Sequence, residues 1–242
     1  MPALATPEFI CAIGSLFYPP TCVVCAENVA RSEYLCADCQ RRAPRIVAPF
    51  CAKCSEPFPG AITQTFSCAN CEHRKLHFDC AVAAYRSRGL VRKLIHDFKY
   101  GNQRHLRHPL TSWLRETLSD ARLRGRRFDL IVPVPLHAAR ERERGFNQAA
   151  LLAELLAASM KVAAPPLLER TRYTTTQTAY DRAERMENLA GAFRLRKNRD
   201  VRDLRVLLID DVLTTGSTLS ECARVLKAAG AVSVHAATAA RA

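Results

Sequence analysis

From Phe78 to the C-terminus, apolar positions follow two periods in turn. Ala81–Ser87 (AVAAYRS), Asp129–Pro135 (DLIVPVP), Val206–Asp210 (VLLID) and Ala231–Ala240 (AVSVHAATAA) are short apolar runs bounded by turn residues. Runs of this length and composition predict buried strands. Helical periods lie between them. RGLVRKLIHDFKYG sets Leu90, Leu94, Ile95 and Phe98 on one face and ends at Gly101, and a second helix is predicted from about Pro109 to Leu123. NQAALLAELLAASM begins on an Asn147 cap, carries Leu151, Leu152, Leu155 and Leu156, and stops before Pro165-Pro166, while STLSECARVLKAAG is closed by Gly230. Helix and strand alternate, which predicts an α/β domain with a mainly parallel sheet flanked by helices.

Before Phe78 the texture is different. Four Cys-x-x-Cys pairs stand in a row: Cys22/Cys25, Cys36/Cys39, Cys51/Cys54 and Cys68/Cys71. Two cysteines two residues apart turn both sulfurs toward one ion, and two such knuckles complete a tetrahedral thiolate shell. Ten residues separate the first two knuckles and thirteen the second two, lengths that suit one hairpin each. Units this small bury little apolar surface, so metal binding must supply the folding free energy, about 10–16 kcal/mol for structural zinc. Two structural zinc ions in two ribbons are expected. Nearest-neighbour pairing is the simplest assignment; an interleaved pairing, or His73 or His77 in place of a cysteine of the second set, satisfies the same spacing. Redox-active pairs are the rival reading, but no thioredoxin-like βαβ pattern surrounds them. Cys11, Cys80 and Cys222 are expected as small buried apolar residues. The organisation predicted is an N-terminal helix over 1–20, a double zinc ribbon over 21–77 and the α/β domain over 78–242.

Composition narrows the setting. The 242 residues carry 36 Lys+Arg against 23 Asp+Glu, a net charge of +13. Between Arg86 and Arg127 stand twelve Lys/Arg and three acidic residues, so most of the excess lies in one stretch that favours phosphate-bearing partners unless it forms only the solvated faces of two helices. Met1–Pro20 lacks the basic start of a secretory signal and its apolar run FICAIGSLFYPP is too short to span a bilayer, so no stable membrane insertion is expected. A reducing, cytoplasmic location is the expectation that fits the cysteines.

The most informative stretch is VLLIDDVLTTGST, residues 206–218. A buried strand delivers Asp210 and Asp211 to its carboxyl end, where ligands of parallel sheets bind. Gly216 lets backbone approach a ligand, Ser217 or Thr218 is expected to cap the next helix, and the N–H groups of that helix start favour an anion. With the hydroxyls of Thr214, Thr215 and Thr218, phosphate donors follow carboxylates suited to ribose hydroxyls, and a sugar phosphate fits both. The chain contains neither GxxxxGK[ST] nor GxGxxG.

These thirteen residues resemble the phosphoribosyl pyrophosphate (PRPP) motif of type I phosphoribosyltransferases. The resemblance implies that Asp210 and Asp211 meet the ribose hydroxyls, that Thr214, Thr215, Gly216, Ser217 and Thr218 cradle the 5-phosphate, and that magnesium accompanies PRPP. PPTCVVC, the doubled cysteine pairs, KYGN, PVPL, RERGFNQ, TTTQ and ERMENLAGAF extend the likeness over nearly the whole chain to the ComF family, which couples a zinc-ribbon region to a type I phosphoribosyltransferase fold. By the same resemblance the turn Val134, Pro135, Leu136, His137 is the pyrophosphate loop, followed by Arg140 and Arg144. Arg170–Asn188 is polar and irregular, the character of a lid. Its Arg172, Arg182 and Arg185 are candidates to close on pyrophosphate and Gln177 to meet a base or ribose; Arg182, Arg185 and Lys99 are the candidate catalytic residues. Hypoxanthine-type members carry an aspartate where this chain has Thr214, which disfavours a 6-oxopurine acceptor.

Two functions are therefore expected from different classes. One is a magnesium-dependent transferase with an unassigned acceptor, acting in DNA uptake or natural transformation. The other is a PRPP-responsive binding module whose basic face and ribbons contact single-stranded DNA or a competence protein. A zinc scaffold that has lost its ligand is a third, disfavoured because Asp210, Asp211 and Gly216 are retained.

Overall fold

The computed structural model describes residues 19–31, 33–60, 66–172 and 189–242. The chain divides into two compact units at Ala43/Pro44. In the first, helix α1 (Ala37–Arg42) follows a Cys36 cap whose sulfur accepts from the Cys39 amide, and Cys22, Cys36 and Cys39 form a small core with Val24, Val29 and Leu35 around them. The expected N-terminal helix and Cys11 lie outside the described residues.

The second unit begins with the other two knuckles, the last of which carries the four-residue helix α2 (Ala69–Glu72). Strand β1 (Ala81–Arg86), helix α3 (Gly89–Tyr100), a 3-10 turn over Arg104–Leu106 and helix α4 (Arg107–Thr117) come next. Strand β2 (Leu130–Pro133), helices α5 (Ala138–Arg144) and α6 (Gln148–Met160), and short strands β3 (Leu168–Arg170) and β4 (Phe193–Leu195) lead to β5 (Arg205–Leu213), α7 (Ser217–Ala228) and β6 (Ser233–Arg241).

Four strands form one parallel sheet in the order β1-β6-β5-β2, and β3 pairs with β4 antiparallel as a separate hairpin. Side chains alternate across a strand. Val206 and Leu208 of β5 share a core with Leu219, Cys222, Ala223 and Leu226 of α7, so Leu207 and Ile209 face the other side, where α4 packs on β1 and β6 and α6 on β5 and β2. Buried β6 is alanine-rich, which leaves room for the bulk of Leu110, Trp113 and Leu114 on α4; the Trp113 ring lies 4.7 Å from that of Tyr85. In α3 the buried face is Val91, Leu94, Ile95 and Phe98, with Val91 in place of the expected Leu90. In α6 Leu152 and Leu156 are buried beside Ala149, Ala153 and Ala157, whereas Leu151 and Leu155 are only half-buried. α4 ends at Thr117, short of the expected Leu123, and turns fill the interval.

The second cysteine set belongs to this core. Cys51 and Cys54 are buried in the α7-side cluster. Arg122, expected as part of a solvated basic face, reaches in and donates to Cys51 O at 3.3 Å, Ala52 O at 3.1 Å and Ser55 Oγ at 3.0 Å. Asp120 neutralises it at 2.7 Å, and its guanidinium lies 4.6 Å from the Phe50 ring centre. Arg122 therefore fastens the knuckle to the sheet domain and is unavailable to a nucleic acid.

His235 of β6 is buried, edge-on to Phe128 and 4.0 Å from Asp79. Burial and the cations Arg126, Lys227 and Lys53 hold its pKa below the ordinary value against the pull of Asp79. The unfolded chain takes up a proton near pH 6.5 that the folded chain refuses, so stability falls as pH drops below about 6.5 until folded His235 protonates. His77 and His108 are depressed for the same first reason, burial. Urea unfolding at about pH 7.5 and about pH 5.5 should show a smaller loss of stability in His235→Gln than in wild type.

Candidate functional site: a cavity at the carboxyl ends of β2 and β5

The register places the site. Pro133 pairs with Ile209, and the Val134 amide donates to Ile209 O at 2.9 Å, so the turn after β2 leaves the sheet beside Asp210. His137 caps α5, its Nδ1 accepting from the Ala139 amide at 3.2 Å. Arg140 and Arg144, four residues apart on α5, point the same way. Gly145, at φ +78°, stops that helix, and Asn147 starts the next: its Oδ1 accepts from the Ala149 amide at 3.0 Å while its Nδ2 donates to Val134 O at 3.1 Å. Asn147 thus ties the turn to α6.

A cavity of about 290 Å³ opens here. Asp210, Asp211, Thr214 and Thr218 line it from β5–α7, Val134–His137, Arg140 and Arg144 from β2–α5, and Lys99 from α3. Three chain segments expected to contribute to one site therefore meet. Thr215, Gly216 and Ser217 complete the loop but are outside this lining. Gly216 is the residue that precedes α7, at φ +78° and without a side-chain cap, so the expected cap by Ser217 or Thr218 is not formed: Ser217 is already the first helical residue. A side chain at that φ is strained, which is why glycine stands there. Arg172 donates to Ala190 O away from the cavity lining. Gln177, Arg182 and Arg185, with most of the expected lid, lie outside the described residues.

The acid pair is asymmetric. Lys99 Nζ sits 2.6 Å from Asp211 Oδ2, with 24% and 7% of the two side chains exposed. Burial opposes ionisation of Asp211, but the Lys99 ammonium outweighs it and lowers its pKa. Burial likewise opposes the charge on Lys99, and the two aspartates outweigh it and raise its pKa. Among the described residues Asp210 has no ion-pair partner in contact, and the more distant Lys99 charge only partly offsets what raises it. Burial and then the Asp211 charge push it well above the usual carboxylate range, although its Oδ1 accepts from the Asp211 amide at 2.9 Å. The pair is thus split, Asp211 shifted toward its charged form and Asp210 toward its neutral one.

Two lining residues were not legible as site residues. Arg170 ends β3, whose backbone bridges to His137, and its guanidinium lies 5.5 Å from the Phe193 ring centre, near enough to Asp210 for their charges to interact. The sequence marks it only as the start of a polar stretch. Gln148 is 4% exposed, lines the cavity, and its Nε2 has no hydrogen-bond partner among the described residues. A buried amide donor left unmade costs about 1–3 kcal/mol, an arrangement that a ligand can relieve. Its place just after the Asn147 cap was the available signal.

The two cysteine sets pair as nearest neighbours. In each, the four sulfurs lie within 4.8 Å of one another, and no histidine joins either among the described residues. Cys25 and Cys36 are 3.6 Å apart, as are Cys54 and Cys68. Zinc–sulfur bonds of ~2.3 Å space tetrahedral ligands about 3.8 Å apart, so both shells fit zinc. Four sulfurs close the shell to water, which makes the role structural. Cys80 and Cys222 are buried, as expected, and belong to neither four-cysteine set.

Residues 13–72 match the double zinc ribbon domain family and residues 147–242 the phosphoribosyl transferase domain family. The chain is 32% identical over 224 residues to competence protein F of Haemophilus influenzae, covering 88% of this chain and 93% of that protein. It is 31% identical over 224 residues to DNA utilization protein YhgH of Escherichia coli strain K12, covering 91% and 96% respectively. Adenine phosphoribosyltransferase from Thermoanaerobacter pseudethanolicus is 18% identical over 55% of this chain and 68% of that one, at a TM-score of 0.35. Among the described residues no helix is long and apolar enough to cross a membrane.

Proposed function

The chain belongs to the ComF family, and from that premise we propose that it binds PRPP in the β2–β5 cavity, works in the cytoplasm in DNA uptake or natural transformation, and transfers phosphoribosyl to an acceptor with release of pyrophosphate. The observation that carries this reading is the convergence of the acid pair, the Thr214/Thr218 loop and the Arg140/Arg144 helix on one cavity.

In such a transfer the bond from ribose C1 to pyrophosphate breaks, its electron pair leaving on pyrophosphate, and an acceptor lone pair forms the new bond at C1. The acceptor proton passes to solvent or to the departing pyrophosphate. Asp210 and Asp211 offer hard oxygen donors of the kind magnesium takes, and magnesium when bound supplies positive charge to the leaving group. Arg140 and Arg144 take up the growing charge on pyrophosphate, with Arg182 and Arg185 as further candidates for the same role, and Asp211, favoured in its ionised form by Lys99, accepts from a ribose hydroxyl. A cation bound beside Asp210 would favour its ionised form, with the proton going to solvent.

Calorimetric titration of zinc-loaded protein with PRPP, with and without magnesium, tests the reading; absence of magnesium-dependent binding in folded protein overturns it. Release of pyrophosphate over an acceptor panel then tests transfer. Gln148→Leu is a separate prediction. Removing an unsatisfied buried donor leaves stability unchanged or raises it by up to about 1 kcal/mol, while PRPP affinity falls about tenfold for the loss of a hydrogen bond to a charged group.

A second reading, a PRPP-responsive module that holds single-stranded DNA or a competence protein, is favoured by one further observation. A groove of about 460 Å³ shares Lys99, Tyr100, Arg140 and Arg144 with the ligand cavity and adds Arg104 and Arg142. Tyr100 is 63% exposed, with the Arg144 guanidinium 4.9 Å from its ring centre. An exposed ring among arginines is a stacking platform for an unpaired base. Affinity for an oligothymidylate should fall with salt and fall about tenfold in Tyr100→Ala; a flat salt response removes the phosphate contacts from the account.

A further inference from the structure

The Thr214–Thr218 loop contains no cation of its own, yet a phosphate monoester carries up to two negative charges. Among the described residues, an arginine bonded to it comes from the cysteine-rich segment. Arg74, three residues past Cys71, donates through Nη1 to Thr215 O at 3.2 Å and through Nη2 to Ser217 Oγ at 2.8 Å. Asn70, between Cys68 and Cys71 on α2, donates to the same Thr215 O at 3.2 Å and accepts from Arg74. Three residues beyond Arg74, the His77 amide donates to Ser220 Oγ on the first turns of α7 at 3.0 Å.

These bonds have a direction. Arginine donates and never accepts, so Ser217 Oγ accepts a hydrogen bond from Arg74. Ser217 is buried, and its own proton needs an acceptor. Thr215 Oγ1 lies 2.8 Å away in a contact where either hydroxyl can donate, and the Ser217 amide also donates to it at 3.4 Å; with Arg74 already donating to Ser217, we take Ser217 as the donor and Thr215 as the acceptor. The partly exposed Thr215 hydroxyl, having accepted from Ser217, is left with its proton to donate outward. Its carbonyl, meanwhile, is turned away from any anion by Asn70 and Arg74.

We propose that Arg74 is the positioning residue of the phosphate loop, and that the second cysteine knuckle sets the loop's affinity for a phosphate monoester through the chain Arg74, Ser217, Thr215. The inference deepens the PRPP reading and rests on it. It gives the second four-cysteine site a role at the ligand, through Asn70 and Arg74, that its closed shell of sulfurs does not provide directly.

The test is calorimetric titration of the zinc-loaded full chain with three ligands: PRPP and ribose 5-phosphate, which carry the 5-phosphate, and pyrophosphate, which does not. In Arg74→Met, affinity for the first two should fall about tenfold and affinity for pyrophosphate should hold, with two zinc ions retained per chain. Arg74→Lys should recover only part of the loss, because one ammonium cannot hold the Thr215 carbonyl and the Ser217 hydroxyl in the fork geometry of a guanidinium. Thr215→Val, which leaves the knuckle intact, should reproduce the loss, and the double variant Arg74→Met/Thr215→Val should be no worse than either alone. Ribose 5-phosphate affinity unchanged in Arg74→Met or in Thr215→Val, full recovery in Arg74→Lys, or an equal loss for pyrophosphate overturns the inference while leaving PRPP binding in place. Wild-type protein that takes up none of the three overturns the PRPP reading, and this inference with it.

Discussion

Asp210→Asn is expected to stabilise the free protein near neutral pH while lowering its PRPP affinity about a hundredfold. Asp210 and Asp211 are adjacent in sequence and opposite in electrostatic circumstance. Burial and the neighbouring charge raise the Asp210 pKa, so the folded state prefers the protonated acid. Stability from that preference is fully present below the ordinary carboxylate value, about 3.9, and is lost as pH rises through the folded value. Asparagine mimics the neutral acid and removes the loss, but it cannot become the anion that a ribose hydroxyl or a cation needs. Asp211→Asn should do the reverse to the fold. Breaking a buried ion pair costs about 3–5 kcal/mol, and because Lys99 keeps 24% of its side chain in solvent the expected cost here is about 2 kcal/mol. That contribution is present above about pH 3.9 and disappears as pH falls through the depressed Asp211 value. Urea unfolding of both single variants across this range, beside titration with PRPP and magnesium, checks the pair. Equal stability changes in the two would mean that the carboxylates share a proton as one unit.

The largest effect on stability should come from Cys51→Ser. Cys51 is fully buried in the core that α7 shares with the sheet, and its sulfur accepts from the Cys68 amide at 3.3 Å. A serine oxygen is a poor replacement in a shell of thiolates, and the free energy at stake is about 10 kcal/mol, comparable with the whole stability of a domain. Bound zinc should drop from two ions per chain to one, and the main unfolding transition should weaken or vanish. Cys22→Ser should also lose one zinc, but from a set with its own small core of Val24, Val29 and Leu35, and the main transition should persist. Metal analysis with calorimetric melting of the two variants distinguishes these outcomes. Similar melting in both would place the second ribbon outside the cooperative core.

Much of this arrangement was legible in the sequence where a chemical requirement fixes the residue type. The cysteine pairs declare themselves by spacing, and β5 by four apolar residues delivering two acids to a sheet edge. What stayed hidden lacks a periodic signature. Helix α5 buries none of its seven residues, so ARERER carries no apolar stripe to read, although it presents Arg140 and Arg144. Strands β3 and β4 span three residues each, too few for a period, and so Arg170 was legible only as part of a loop. Gln148, Asn70 and Arg74 look like ordinary surface polar residues. Their meaning comes from partners far along the chain, such as Thr215, 145 residues from Asn70. The acid pair shows the same limit at shorter range, since the sequence places both carboxylates together but only the approach of Lys99 to one of them separates their charges.

For limited proteolysis, the Arg122 clamp determines which fragment survives. Cleavage near Phe78, where the composition changes, would part Arg122 from the carbonyls of Cys51 and Ala52, leaving a guanidinium half dissolved in apolar surroundings beside an open core. Cleavage at Ala43/Pro44 cuts none of these bonds. The protease-resistant product should therefore be residues 44–242, carrying one zinc and the whole ligand cavity, and a recombinant fragment begun at Phe78 should be recovered as aggregate.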